Sequence, residues 1–166
     1  MANGQVEVYL GYGDPAPICD LATQNPHTFY IGIDLGVKPL IQLPNVQFRR
    51  TDFVRGLNTV EAGTVDRVVS ELAFGHYGPV KGPCKWDEAY NLEAGWLIRS
   101  RLKPEKELYL VMMEEYVTRM IILLRSLSFR LSHKAVPKEA RRTSWMKELI
   151  VNQDEELEEI AGIKLI

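Results

Sequence analysis

The sequence predicts a single α/β domain built on a doubly wound, mainly parallel sheet of about seven strands. Short apolar runs alternate with helical stretches along much of the chain, which is the order that βαβ units produce around a parallel sheet. The run at residues 28–34 is too apolar to have a solvated face, as expected of a central strand. The last two predicted strands are joined by only a loop, so they must run antiparallel.

The individual elements follow from the same patterns in chain order. The strands are predicted at residues 6–10, 28–34, 46–50, 65–73, 108–112, 128–134 and 144–151. A first helix is predicted at residues 15–23, with Asp14 as its N-cap and Pro15 in its first position. Two more are predicted at residues 86–102 and around the apolar face Val117, Met120, Ile121 and Leu124. The acidic run at residues 154–159 predicts a terminal helix or a frayed tail, which gives a domain at residues 1–152 and a tail at residues 153–166.

Composition restricts the class of protein. A chain of 166 residues with 46% hydrophobic and 25% charged residues is typical of one soluble domain with a proper core. The net charge of −2 excludes a uniformly basic nucleic-acid binder. Cys19 and Cys84 have no metal-ligand spacing and are too few for a disulfide framework, so we expect reduced thiols and no metal. No apolar run approaches the ~20 residues that span a bilayer, and the first residues lack a secretory signal, which predicts a cytoplasmic protein.

The turn at Gly11, Tyr12 and Gly13 directly follows the first predicted strand. Glycine lets the backbone turn sharply and approach a ligand closely, and the following helix directs free N–H groups toward that ligand. Alone, a Gly-x-Gly pair is equally consistent with a tight loop. Asp34 ends the second predicted strand 21 residues after Gly13, where nucleoside-binding folds hold a carboxylate for the ribose hydroxyls. The two features together favour ligand binding over a turn or helix-cap role for Asp34.

Four segments, in this order, resemble class I S-adenosylmethionine-dependent methyltransferases, whose fold is Rossmann-like. Residues 8–13 resemble the first glycine motif of the family, residues 30–34 its second strand, and residues 46–53 its third strand. Residues 102–111 resemble the L-K-P-G-G-x-L segment that enters its fifth strand. The resemblance covers residues 6–151 and implies an antiparallel last strand inserted between the fifth and the sixth.

The resemblance also implies a site for S-adenosylmethionine as cofactor. Gly11 and Gly13 would line the methionine moiety, Asp34 would hold the ribose, and Asp52 would meet the adenine. The other residues implied to contact the cofactor adjoin these motifs or end the fourth strand: Tyr12, Leu35, Phe53 and Glu71. The sequence departs from the family where Tyr9 replaces an acidic residue, Pro15 replaces a third glycine and Glu105-Lys106 replaces Gly-Gly. These departures keep open a member that has lost activity.

Candidate catalytic residues lie at the end of the fourth predicted strand and in the segment after it. Glu71 could position a nucleophilic nitrogen or accept its proton, and His76 titrates near neutral pH and could act as a base. Local pairing by Glu71 and loop packing by His76 are the alternatives. The segment has no N-P-P-Y motif, which argues against amino-methylation of adenine. Cys84 lies further from the strand than the proline-cysteine motif of cytosine-C5 enzymes, so we interpret it as a loop thiol.

A basic stretch near the end of the chain could follow a phosphate backbone, with Trp145 available for stacking. The residues assigned to this stretch are Arg125, Arg130, Lys138, Arg141 and Arg142. The alternative is a solvated surface balanced by the acidic tail. The sequence identifies no methyl acceptor: RNA, a small molecule, and a site completed by a second copy of the chain in a homodimer all stay open.

Three functions therefore compete. The first is methyl transfer from S-adenosylmethionine, in which holding the acceptor in line supplies much of the rate. The second is a non-catalytic binding or scaffold protein that keeps the methyltransferase fold, including an RNA-associated one. The third is a Rossmann-type oxidoreductase, which the antiparallel end of the sheet and the L-K-P segment fit poorly.

Overall fold

The computed structural model describes residues 4–36, 39, 42–71, 73–75, 86–135 and 157–165. Its strands are β1 (Gln5–Leu10), β2 (Thr28–Asp34), β3 (Val46–Arg50), β4 (Val65–Glu71), β5 (Leu102–Met113), β6 (Phe129–Ala135) and β7 (Leu157–Lys164). Its helices are α1 (Ala16–Gln24), α2 (Phe53–Asn58), α3 (Glu88–Arg101) and α4 (Glu114–Ser126). The strands form one sheet in the order β3-β2-β1-β4-β5-β7-β6, which confirms the predicted doubly wound α/β fold.

The strand pairing places the carboxyl ends of β1 to β5 at one edge of the sheet. Pairs from β3 to β5 are parallel, whereas β7 is antiparallel to both β5 and β6. The winding reverses at β1, because its two neighbours are β2 and β4. In open α/β sheets ligands bind at the carboxyl ends of the strands beside such a reversal. We call this side of the sheet the carboxyl edge and the opposite side the amino edge.

Apolar packing covers the two faces of the sheet unequally. The larger cluster lies under α2, α3 and α4, and its centre is essentially inaccessible to water: Leu10, Leu57, Ile98, Leu110 and Leu124. The smaller cluster lies under α1: Tyr12, Ile18, Ala22, Tyr30 and Phe48. Since α1 packs on β2 and β3, no described helix covers the same face of β4, β5 and β7.

Most predicted elements are confirmed, with small shifts at their ends. β2 and β3 have the predicted bounds, and the predicted apolar face of α4 is buried. Pro15 occupies the N-cap position of α1, which the sequence had assigned to Asp14. The Asp14 carboxylate instead accepts a hydrogen bond from the Ala16 N–H at 2.9 Å. β5 starts at Leu102, earlier than predicted, because that residue pairs with Val65 at the start of β4.

The prediction of a tail or short helix at residues 153–166 was wrong, because Leu157–Lys164 forms β7 in the sheet. The acidic residues that suggested a solvated tail have partners there. The Glu159 carboxylate accepts a hydrogen bond from the Tyr109 hydroxyl at 3.0 Å and pairs with Lys134 at 3.4 Å. Ile160 is fully buried beside them. The strand predicted at residues 144–151 lies outside the described residues.

No helix in the described part of the chain combines the length and the apolar character needed to cross a membrane.

Candidate functional site

The turn after β1 requires both of its glycines. Gly11 has φ +68° and Gly13 has φ +55°, a left-handed conformation that side chains with a Cβ rarely adopt. The Gly11 N–H donates to the Ile33 carbonyl at 2.8 Å, which ties the turn to β2. A Cβ on Gly11 would collide with the Cβ of Ala73, whereas the space around Gly13 is open. The turn therefore packs tightly on one side and leaves room beside Gly13.

Asp34 lies directly beside this turn, as the sequence predicts for a nucleotide site. Its Oδ2 accepts a hydrogen bond from the Gly13 N–H at 3.0 Å, and its Oδ1 accepts one from the Gly36 N–H at 2.5 Å. One carboxylate thus joins the loops that follow β1 and β2. Leu35 lies in the bend between Asp34 and Gly36 and is half-buried.

Asp52 and Phe53 form the turn from β3 into α2. Asp52 is the N-cap of α2: its Oδ1 accepts a hydrogen bond from the Arg55 N–H at 3.0 Å, and its Oδ2 lies 3.5 Å from the Arg55 Nε. The Phe53 side chain is buried, and its N–H donates to the Tyr90 hydroxyl of α3 at 3.0 Å. Sequence reasoning missed Tyr90, because no local pattern links residues 37 positions apart.

The Tyr12 side chain extends from the glycine turn across β2. Its ring lies 5.0 Å from the Phe48 ring, centroid to centroid, and a Cβ on Gly32 would lie within 3.0 Å of both rings. Gly32 thus makes the room that this packing needs. The Tyr12 hydroxyl is buried and has no hydrogen-bond partner among the described residues. Burial, and secondarily the Asp34 charge, raises the pKa of Tyr12 to about 12, so the phenol is neutral.

Glu71 ends β4 and lines a cavity of about 160 Å³ between α1 and the sheet. The residues that line this cavity come from α1, its preceding turn, and the three strands below it: Tyr9, Tyr12, Asp14, Pro17, Ile18, Leu21, Arg67, Val69, Glu71 and Tyr109. Burial raises the pKa of the Glu71 carboxyl, and the Arg67 charge opposes that effect. Among the described residues, no hydrogen bond or ion pair engages this carboxylate.

Tyr9 stands where the resemblance expects an acidic residue. Its hydroxyl donates to the Glu7 carboxylate at 3.0 Å. Burial and the nearby Glu7 charge raise the pKa of Tyr9 well above its usual value, so it stays a neutral phenol. Glu7 therefore puts a negative charge on the same strand, two residues from the expected position.

Several predicted site residues are not brought together at the carboxyl edge. His76, Lys138, Arg141, Arg142 and Trp145 lie outside the described residues. Arg125 lies in the last turn of α4 and Arg130 is the second residue of β6, which places both toward the amino edge, on the far side of the sheet from Gly13 and Asp34. The involvement of Arg125 and Arg130 in nucleic-acid binding stays a prediction. Among the described residues, no group of three His, Cys, Asp or Glu side chains could hold a metal ion.

The strand order, with antiparallel β7 between β5 and β6, and the glycine turn at the winding reversal define the class I methyltransferase fold. Solved structures confirm it. An antibiotic related methyltransferase is 19% identical with a TM-score of 0.69, and the match covers 96% of this chain and 88% of that one. Neither a family model nor a curated protein matches the sequence.

Two further structural neighbours act on different acceptors. A mutant of the 16S rRNA (adenine(1408)-N(1))-methyltransferase from Catenulisporales acidiphilia, with cosubstrate S-adenosylmethionine, is 15% identical with a TM-score of 0.66, covering 98% of this chain and 86% of that one. Phosphoethanolamine N-methyltransferase 2 from Haemonchus contortus, in complex with S-adenosyl-L-methionine, is 15% identical with a TM-score of 0.69. That match covers 100% of this chain and 50% of the other.

Proposed function

We propose that this protein is an S-adenosylmethionine-dependent methyltransferase. The observation that carries the proposal is the Asp34 carboxylate, which bridges the loops after β1 and β2 at the point where the winding of the sheet reverses. A carboxylate there can accept hydrogen bonds from two vicinal ribose hydroxyls. The methyltransferase fold and the solved neighbours that bind this cofactor support the choice of ligand.

The residues at the carboxyl edge fit the cofactor. The open space beside Gly13 admits the backbone approach that a bound ligand needs, and Asp34 lies next to it. Gly11, Gly13 and Tyr12 would hold the methionine end, and Asp34 with Leu35 the ribose. Asp52 would hold the adenine amino group, since the exposed Arg55 side chain that pairs with it can move away. Phe53 shapes this end with its buried ring, because its N–H is already bonded to Tyr90.

The chemistry expected of the chain is mainly positional. When bound, S-adenosylmethionine supplies an activated methyl group on a sulfonium. Holding an acceptor atom at ~3–3.5 Å in line with that group supplies much of the rate. Glu71 lies at the adjoining strand end, and its raised pKa makes the carboxylate a better proton acceptor. We assign Glu71 to orient the acceptor and to accept its proton, with His76 as the second candidate base.

A non-catalytic protein of the same fold is the second candidate. The observation that favours it is Tyr9, whose neutral phenol cannot replace a carboxylate toward the methionine end. Pro15 acts in the same direction, because it removes one N–H from the start of α1.

Calorimetric titration with S-adenosylmethionine and S-adenosylhomocysteine tests the proposal. We expect micromolar affinity, and a loss of at least ~10-fold in Asp34→Ala, since that change removes the ribose acceptor. Asp20→Ala is the matched control, because Asp20 is an exposed carboxylate on α1. The proposal fails if no binding is detected at millimolar ligand. Equal affinities in the two variants would move the ribose site elsewhere.

A further inference from the structure

The cavity beneath α1 is lined by the Glu71 carboxyl group, which has no hydrogen bond or ion pair among the described residues. Unpaired buried polar groups cost free energy, and native proteins keep few of them. A carboxyl group that lines a cavity without a protein partner indicates a ligand that donates a hydrogen bond to it.

The charges around the cavity favour an amine over an anion. Among the described residues, the one guanidinium that lines it belongs to Arg67 and is already engaged: it pairs with Glu107 at 3.0 Å and lies 5.5 Å from the centre of the Tyr109 ring. Of the two carboxyl groups that line it, that of Asp14 accepts a hydrogen bond from the Ala16 N–H at 2.9 Å, whereas that of Glu71 has no protein partner among the described residues. An amino group donates to a carboxylate and is attracted to it, whereas a phosphate or carboxylate ligand would be repelled.

The other residues that line the cavity determine the size of the ligand and the apolar character of its carbon skeleton. Pro17, Leu21 and Val69 provide aliphatic surface, and the rings of Tyr9 and Tyr109 provide aromatic surface. A volume of about 160 Å³ holds several water molecules, which is enough to admit a compact molecule. A single ring or short branched chain with one amino group fits these dimensions.

We propose that this cavity is the acceptor site, and that its ligand is a small primary amine with an aromatic or aliphatic body. The assignment rests on the proposed function. Tyr12 of the glycine turn lines the same cavity, and Glu71 ends β4, the strand that pairs with β1, so an amine bonded to Glu71 is held at the carboxyl edge beside that turn.

The Glu71 carboxylate first accepts a proton from the bound ammonium and releases it to water. The lone pair of the resulting neutral amine forms the new N–C bond to the methyl carbon, and the C–S bond breaks with its electron pair staying on sulfur. The methylated nitrogen then carries one proton more than a neutral amine. That proton passes to the Glu71 carboxylate and from there to water.

Direct titration with phenethylamine, and with 2-phenylethanol as its neutral match, tests the cavity without the cofactor. We expect the amine to bind at least ~10-fold more tightly than the alcohol, as one charge-assisted hydrogen bond predicts. Leu21→Trp should abolish amine binding by filling the cavity from α1. Leu92→Trp is the matched control, because Leu92 is exposed on α3, on the other face of the sheet.

Glu71→Gln provides a second variant that keeps the size of the side chain and removes its negative charge. We expect a melting temperature no lower than that of the wild type and an amine affinity lowered ~5–10-fold. Equal affinity for amine and alcohol, or amine binding that survives in Leu21→Trp, would overturn the acceptor site. If the wild-type protein does not bind S-adenosylhomocysteine, the methyltransferase proposal is overturned instead, so the two failures are distinguishable.

Discussion

The two halves of the carboxyl edge differ in how their polar groups are satisfied. On the side of β2 and β3, Asp34 accepts two backbone N–H groups and Asp52 accepts one, so both carboxylates are held by the protein. On the side of β4, Glu71 has no such bond among the described residues. Groups paired by the protein keep their geometry without a ligand, whereas unpaired groups carry a cost until a ligand binds. The first half is therefore built in advance, and the second is completed by binding.

This difference assigns opposite consequences to mutations in the two halves. A change in the prebuilt half should lower the stability of the fold, because the same contacts hold the loops and await the cofactor. A change at Glu71 should affect ligand binding or catalysis and leave stability equal or higher. The predictions below separate the two halves by measuring both quantities.

Gly11→Ala should have the largest effect on stability. The left-handed φ costs ~1–2 kcal/mol for alanine, and the collision with Ala73 adds ~1–3 kcal/mol of overpacking. We expect a loss of about 3 kcal/mol in the free energy of unfolding, measured by urea denaturation. Gly63→Ala is the matched control, because Gly63 has φ +67° but open space around it. Equal losses in the two variants would show that the turn is not tightly packed against Ala73.

Glu71→Gln should reduce methyl transfer by ~10²-fold if the carboxylate accepts the acceptor proton. Burial raises the pKa of Glu71, so the folded state favours the protonated carboxyl. The stability that this group contributes is present below its unfolded pKa and is lost as pH rises through its folded pKa. Glutamine removes that loss, so the variant should be no less stable than the wild type at pH 7.

The matched control for this change is Glu61→Gln, since Glu61 is exposed and lies before β4. Methyl transfer is followed with labelled S-adenosylmethionine and an amine acceptor, and stability by denaturation at several pH values. A variant that loses stability and activity together would show that Glu71 belongs to the prebuilt half.

The sequence predicted the prebuilt half well, because each of its parts has a local signal. An apolar run gave β2, the Gly-x-Gly pair gave the turn, and Asp34 followed at a spacing of 21 residues. Their contact through the Gly13 N–H is the geometry those signals predict. Glu71 was also found, because it ends an apolar strand at the carboxyl edge.

The other features depend on contacts between distant residues, which local patterns do not encode. The unpaired Tyr12 hydroxyl follows from the room that Gly32 makes beside Phe48. The acidic residues before Ile160 predicted a solvated tail. In the structure, Tyr109 and Lys134 on neighbouring strands instead provide partners for the Glu159 carboxylate. In each case the missing information is the register between strands, which decides what a polar residue meets.

Tyr90→Phe should have an intermediate effect and act on the prebuilt half. It leaves the buried Phe53 N–H without an acceptor, which costs ~1–3 kcal/mol. Because that N–H lies next to Asp52, the affinity for S-adenosylhomocysteine should fall with the melting temperature. Tyr9→Phe is the comparison, since its hydroxyl bonds to the half-exposed Glu7 side chain. If Tyr90→Phe is no less stable than Tyr9→Phe, the turn into α2 is held by Asp52 alone.

Asp66→Asn should have the smallest effect and leave both halves of the carboxyl edge unchanged. Asp66 lies at the amino edge, where it accepts a hydrogen bond from the Val6 N–H at 3.0 Å and pairs with Lys103 at 2.7 Å. Burial raises the pKa of Asp66, but its bonds to Lys103 and to the Val6 N–H outweigh that effect and hold the pKa below its usual value.

The lowered pKa of Asp66 determines how the stability difference between the wild type and Asp66→Asn depends on pH. A carboxyl with a lowered pKa contributes stability that is present above its unfolded pKa and lost as pH falls through its folded pKa. We expect the wild type to exceed Asp66→Asn by ~1 kcal/mol at pH 7, because Lys103 is partly exposed and its pairing is screened. The difference should shrink as the pH falls through the lowered pKa of Asp66 in the folded state. Cofactor and amine affinities should match the wild type, and a change in either would show that the amino edge is coupled to the site.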